Sequence, residues 1–212
     1  MVGDFRDLPR RAPQHHRGIR LLGRARASAS ASATAIPTTL ADHDFSGRRD
    51  LFGFLAAAGA AGLHAILRIG PYVCAEVSYG GFPPALRDVP GMRFRTLNEP
   101  FMSAVSSWLR LLASEFHARE LLAPAGGPVV LVQLENEYSM VSGAYGADGE
   151  KYLQWCADMQ DEKRLGVPAI MCFGAADGAL ETVNAFYAHD VVRGMREARP
   201  SQPVVWTECW TG

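Results

Sequence analysis

Short apolar runs alternate with longer stretches of helical period from about residue 44 to residue 212 of this chain. The runs at 63–69, 129–132 and 167–173 are short and rich in Val, Ile and Leu, which predicts buried strands. Two further strands are expected at 182–187, which carries Asn184, and at 204–207, whose entry Pro200 and Pro203 bracket. Ser46 is placed to cap a helix over 47–61, with Leu51, Leu55 and Ala58 on one face and Gly62 at its end. A second helix has Asn98 as cap and Pro100 in its first turn. Its stripe of Phe101, Val105, Trp108 and Leu112 steps by 4, 3 and 4, the spacing of a core-facing side. A third runs over 148–165, with Asp148 as cap, Tyr152, Trp155 and Met159 as its apolar face and Gly166 ending it. The polar segment 189–199 is expected to be helical, and the Gly- and Pro-rich segments 80–84, 142–149 and 174–179 to be loops.

Strand and helix in alternation predict a parallel α/β fold, its strands covered on both faces. The polar residues gather just after the strands. Cys74-Ala75-Glu76 follow the first run, Glu135-Asn136-Glu137 end the second, and Glu208 ends the last. In a β/α barrel that face carries the active site, and residues from several strand ends converge there. A doubly wound open sheet is the alternative, but no glycine-rich phosphate fingerprint opens any of these helices.

Composition changes this picture mainly at the N-terminus. Seven Arg stand against two Asp before position 40, and 27–35 alternates Ala with Ser or Thr. Residues 1–43 are therefore expected to be a low-complexity tail, disordered, misframed or of transit-peptide type, with the folded unit at 44–212. The formal charge of −1 gives no electrostatic case for nucleic acid. No apolar run reaches 18 residues, so no transmembrane segment is expected. The four cysteines (74, 156, 172, 209) form no CxxC pair and read as packed thiols; neither a metal nor a cofactor is expected. No signal peptide and no glycosylation sequon is visible, and the compartment is unread.

Five blocks, in order and in register, carry a family resemblance. They are LRIGPYVCAE (67–76), GGFP (80–83), PG with FRT (90–91, 94–96), QLENEY (133–138) and TECWTG (207–212). The chain so read resembles the β-galactosidases of glycoside hydrolase family 35, most closely the plant-type members. The resemblance implies a (β/α)8 TIM barrel, present in part as about strands three to seven. It implies a retaining exo-glycosidase that removes terminal non-reducing β-D-galactose residues from an oligosaccharide or glycan by a two-carboxylate double displacement. By the resemblance Glu137 is the acid/base, preceded by Asn136, and Glu208 is the nucleophile. Cys74, Ala75 and Glu76 map to the substrate-contacting segment, and Trp210 to an aromatic beside the sugar. The family's usual compartments are secreted, cell-wall, vacuolar or lysosomal.

The residue chemistry agrees with these roles. Retention needs two carboxyl groups roughly 5–5.5 Å apart, one to attack and one to protonate the leaving oxygen. Asn136 is suited to hydrogen-bond the sugar 2-OH. Of the two neighbouring carboxylates, Glu137 is read as catalytic and Glu135 as a structural pair. Cys74 as a packed thiol and Trp210 as core are the bland readings of those two. Two departures touch the pocket wall: Val77 and Ala85 stand where the family usually has Trp. A complete barrel takes about 250 residues, so these 212 alone are expected to turn over little substrate. The competing expectation is a truncated, non-catalytic remnant of such an enzyme. An exo-β-glucosaminidase is the nearest alternative specificity.

Overall fold

The computed structural model describes residues 43–76, 78–162, 165–186 and 188–210. The tail expected at 1–43 lies, but for His43, outside the described residues. Five strands form one wholly parallel sheet in chain order: β1 (Ala65–Gly70), β2 (Val129–Leu134), β3 (Ala169–Cys172), β4 (Ala179–Ala185) and β5 (Trp206–Cys209). The longer helices among the described residues are α1 (Leu51–Ala60), α2 (Glu99–Ala118), α3 (Ala147–Glu162) and α4 (Ala188–Ala198).

The sheet is curled, and one contact measures how strongly. Strands lie about 4.8 Å apart, so β1 and β5 in a flat sheet would be roughly 19 Å from each other. Yet Arg68 on β1 donates to Glu208 on β5 at 2.8 Å. Only a sheet bent towards closure brings those side chains together. The wall is that of a partial (β/α)8 barrel, as the strand–helix pattern predicts.

Side-chain alternation sorts the two faces of the wall. Leu67, Ile69, Val132, Leu134, Ala169 and Met171 point outwards and join the apolar core beneath the helices. Arg68, Gln133, Cys172, Thr182, Asn184 and Glu208 occupy the other parity, the inside of the curl, joined across it by hydrogen bonds. The helices supply the other half of the core. Phe101, Val105, Leu109, Leu112 and Phe116 of α2 are all buried, and each large apolar side chain so placed contributes on the order of 1.5–3 kcal/mol.

Several boundaries differ from the sequence reading, for local reasons. Ser46 does not cap α1. Its hydroxyl turns back to Asp44, a 3-10 turn intervenes at Gly47–Arg49, and Asp50 is the cap, accepting from the Gly53 N–H at 2.8 Å. Gly62 ends α1 in the left-handed region (φ 72°), as expected, and the next N–H returns to Ala58 O. Asn98 precedes α2 without a side-chain cap; its amide instead pins the preceding loop, bonding Arg93 N and Gly91 O. Trp108 is only half-buried and donates to Ile69 O, while Leu109 takes the core position. Asp148 lies inside the first turn of α3 rather than before it. Between β3 and β4 the loop expected at 174–179 is a tight link at 173–178 that returns the chain to the parallel strand.

Candidate active site

The strands deliver their polar residues at the C-terminal rim, and the backbone there is unusual. Cys74 (φ 50°), Glu76 (φ 56°), Glu135 (φ 57°), Glu137 (φ 50°) and Phe173 (φ 46°) all adopt the left-handed region although none is glycine. Such residues cost energy and persist where surrounding contacts fix them, commonly at sites of function. They follow β1, β2 and β3 in turn.

The left-handed steps explain why Glu135 and Glu137 part company. Residues two apart in an extended strand share one face, and here the left-handed steps turn the two side chains apart. Glu135 is buried and receives the Arg95 guanidinium (2.8 Å), the Tyr152 hydroxyl (2.6 Å) and the Asn136 N–H (3.0 Å). Arg95 also donates to Asn136 O and lies 3.9 Å from the Tyr72 ring centroid. Burial, with Cys156 and Glu135 adding to it, pushes the Tyr152 hydroxyl well up, so it stays a donor to Glu135. A buried charge so fully partnered is an internal brace. It locks the backbone that carries Asn136 and Glu137.

Glu137 faces the other way, into the curl. Its N–H donates to Cys172 O at 2.9 Å, and its Oε1 accepts from Asn184 Nδ2 at 3.0 Å. Asn136 is buried beside it; Gln133 Nε2 donates to Asn136 Oδ1 at 3.1 Å, and Asn136 Nδ2 has no partner. Burial, with the Glu137 charge adding and Thr207 opposing, pushes the Cys172 thiol up to about 12.

Glu208, on β5, has both oxygens held: Oε1 by Arg68 (2.8 Å) and Oε2 by the Trp210 indole N–H (3.0 Å). Burial alone would raise this carboxyl. The bonds from Arg68 and Trp210, the Arg68 charge and the nearby Asn184 amide outweigh it and hold Glu208 below the ordinary carboxylate value. Arg68 is itself buried and fixed by Gln133 Oε1 (3.0 Å) and Val73 O (2.9 Å). Trp210 is exposed, edge-on to Phe186 at 4.9 Å, so it is not a core residue.

The first-strand segment is less engaged. Cys74 is half-buried and accepts from the Tyr72 hydroxyl (3.7 Å), Ala75 is buried, and Glu76 is exposed. Val77 lies outside the described residues, and Ala85 is exposed in the turn Pro84–Asp88. The sequence reading singled out neither Arg68 nor Asn184 as site residues. Arg68 is the one polar residue of β1, which was the available signal there, while Asn184 is one of three polar residues in β4 and does not stand out. Among the described residues no cluster of three His, Cys, Asp or Glu is placed to hold a metal, and no helix is long and apolar enough to cross a membrane.

Comparison with known proteins adds an independent line. The family model described as Glycosyl hydrolases family 35 matches residues 37–212. The chain is 43% identical over 172 residues to Beta-galactosidase 6 of Oryza sativa subsp. japonica, covering 80% of this chain and 20% of that protein. It is 42% identical over 172 residues to Beta-galactosidase 8 of Arabidopsis thaliana, with the same 80% and 20% shares. Probable beta-galactosidase 2 of Dictyostelium discoideum is 37% identical over 177 residues, 83% of this chain and 23% of that protein. The chain thus spans 20–23% of the length of these relatives.

Proposed function

The chain belongs to glycosyl hydrolases family 35, and from that membership we propose that its site removes terminal β-D-galactose by a retaining double displacement. The relatives' names supply the sugar. The observation that carries the mechanism is that Glu137 and Glu208 stand at the rims of different strands, β2 and β5, within reach of one shared amide, Asn184. A retaining mechanism takes such a pair at roughly 5–5.5 Å, an inverting one at roughly 6.5–9.5 Å.

The two carboxyl groups have unequal surroundings, and unequal roles follow. Glu208, held ionised by Arg68 and Trp210, attacks the anomeric carbon. Glu137, which has no cation bonded to it among the described residues, gives its proton to the departing glycosidic oxygen. In the second half the Glu137 carboxylate takes a proton from water, and the water oxygen displaces Glu208 from the sugar. Asn136 Nδ2, buried and unpartnered, is the donor for the sugar 2-OH. Trp210 offers an exposed ring beside the nucleophile, and Cys74, Ala75 and Glu76 line the β1 side. The substrate so bound is the galactosyl end of an oligosaccharide or glycan.

The test is covalent capture. The protein, expressed from its complete reading frame, is incubated with an activated 2-deoxy-2-fluoro-β-galactoside and its peptides are mapped by mass. The expected adduct is on Glu208. Glu208→Gln is expected to lower turnover by several orders of magnitude, and Glu137→Ala by about 10²–10⁴ on substrates with poor leaving groups. An adduct on another carboxylate, or hydrolysis with inversion at the anomeric carbon, would overturn the assignment.

A further inference from the structure

The buried amide of Asn184 is the one group of the site whose geometry is not accounted for by the two carboxylates' own roles. We propose that Asn184 is a positioning residue that holds Glu137 in the orientation needed to protonate the leaving oxygen. The proposal rests on the reading of Glu137 and Glu208 given above.

Three observations carry it. First, Asn184 Nδ2 donates to Glu137 Oε1 at 3.0 Å, and this is the one side-chain hydrogen bond that Glu137 makes among the described residues. Without it the carboxyl would be free to turn about its own stem. Second, the amide is committed to that orientation at a cost. Asn184 is buried, and its Oδ1 has no hydrogen-bond partner. A buried acceptor left unpaired is unfavourable, so the orientation is held by what the NH₂ end gains in donating to Glu137 Oε1. Third, the backbone places it there by an irregularity. Along β4 and β5 the register runs Val183↔Trp206 and then Asn184↔Glu208, so Thr207 is skipped. Such a bulge re-aims side chains next to active sites. Here it sets Glu208 directly opposite Asn184, so that one rigid strand addresses both carboxylates.

A residue that orients the acid matters in proportion to how much proton donation the reaction needs. With a leaving group as acidic as dinitrophenol the glycosidic bond breaks without help; with an alkyl or sugar alcohol it does not. The experiment compares kcat/KM of Asn184→Ala and Asn184→Asp with that of the unaltered protein, all from the complete reading frame, on dinitrophenyl β-galactoside and on an alkyl β-galactoside. The expected result is a loss of roughly tenfold or more on the alkyl substrate and a much smaller loss on the activated one. Asn184→Asp keeps the side-chain shape while removing the donor, so it decides the question if the Ala variant fails to fold. Equal losses on both substrates, or no loss on either, would overturn the role. Failure of the unaltered protein to label at Glu208 would remove the underlying assignment, and this inference with it. Intact labelling with equal losses would remove this inference alone.

Discussion

Arg68 spends its whole guanidinium on the site: Nε on Gln133, one terminal nitrogen on Val73 O, the other on Glu208. It is the main reason Glu208 is held below the ordinary carboxylate value, because burial pushes the carboxyl up and Arg68 reverses that push. The sign of its removal follows. In Arg68→Met the upward push of burial remains while the Arg68 bond and charge are lost, so the Glu208 carboxyl moves up and protonates at higher pH. The acid limb of kcat/KM against pH is expected to shift to higher pH, with activity lost first under acidic conditions. An unmoved acid limb in a folded Arg68→Met protein would show that another group holds Glu208 ionised. Residue identities picked out the proposed pair, Glu137 and Glu208, in the sequence, since two carboxylates at strand ends have few structural uses. Their partners were hidden for a physical reason. Arg68 meets Glu208 only when the sheet curls, and Asn184 meets it only through a skipped residue at Thr207. Neither event leaves a mark in hydrophobic period.

At the scale of elements, every expected strand and helix within the described residues is present, and the errors lie at their ends. Period reports which face is buried; it does not report which of several polar residues turns inwards to bond a backbone N–H. At α1 both Ser46 and Asp50 had suitable chemistry, and the 3-10 turn Gly47–Arg49 decides between them by moving the helix start to Leu51. Asp50→Ala is therefore expected to lower the unfolding free energy by about 1 kcal/mol. Ser46→Ala is expected to change it by less than about 0.5 kcal/mol. Denaturant titration of the two variants separates these outcomes, and equal losses would restore Ser46 as the cap. Between β3 and β4 the expected loop is present, and it is short. The short link at 173–178 is held by Phe173 N–H donating to Thr182 O, and Gly178 (φ 85°) supplies the turn. The Gly-rich composition predicted a loop there, but not that the loop alone would join parallel neighbours.

For the molecule as a whole, the site depends on curvature. Arg68 lies on the first strand of the sheet and Glu208 on the last, so the Glu208 carboxyl is set by a contact across the mouth of an open wall. Among the described residues nothing pairs with the outer edges of β1 and β5. Apolar side chains near those edges are exposed: Ile66 at 52%, Phe186 at 57% and Trp206 at 39%. Unpaired edges with apolar neighbours favour association with other chains over a fixed curvature. Expressed as these 212 residues, the chain is expected to associate in solution and to turn over a chromogenic β-galactoside only weakly. Loss of curvature would separate Arg68 from Glu208 while leaving the brace of Arg95, Glu135 and Tyr152 intact, because that brace lies within neighbouring elements. The expected signature is thus folded secondary structure with weak activity, read by circular dichroism, light scattering and turnover on one sample. Substantial turnover by the 212 residues, abolished by Glu208→Gln, would show instead that the Arg68–Glu208 contact holds the curl without further strands.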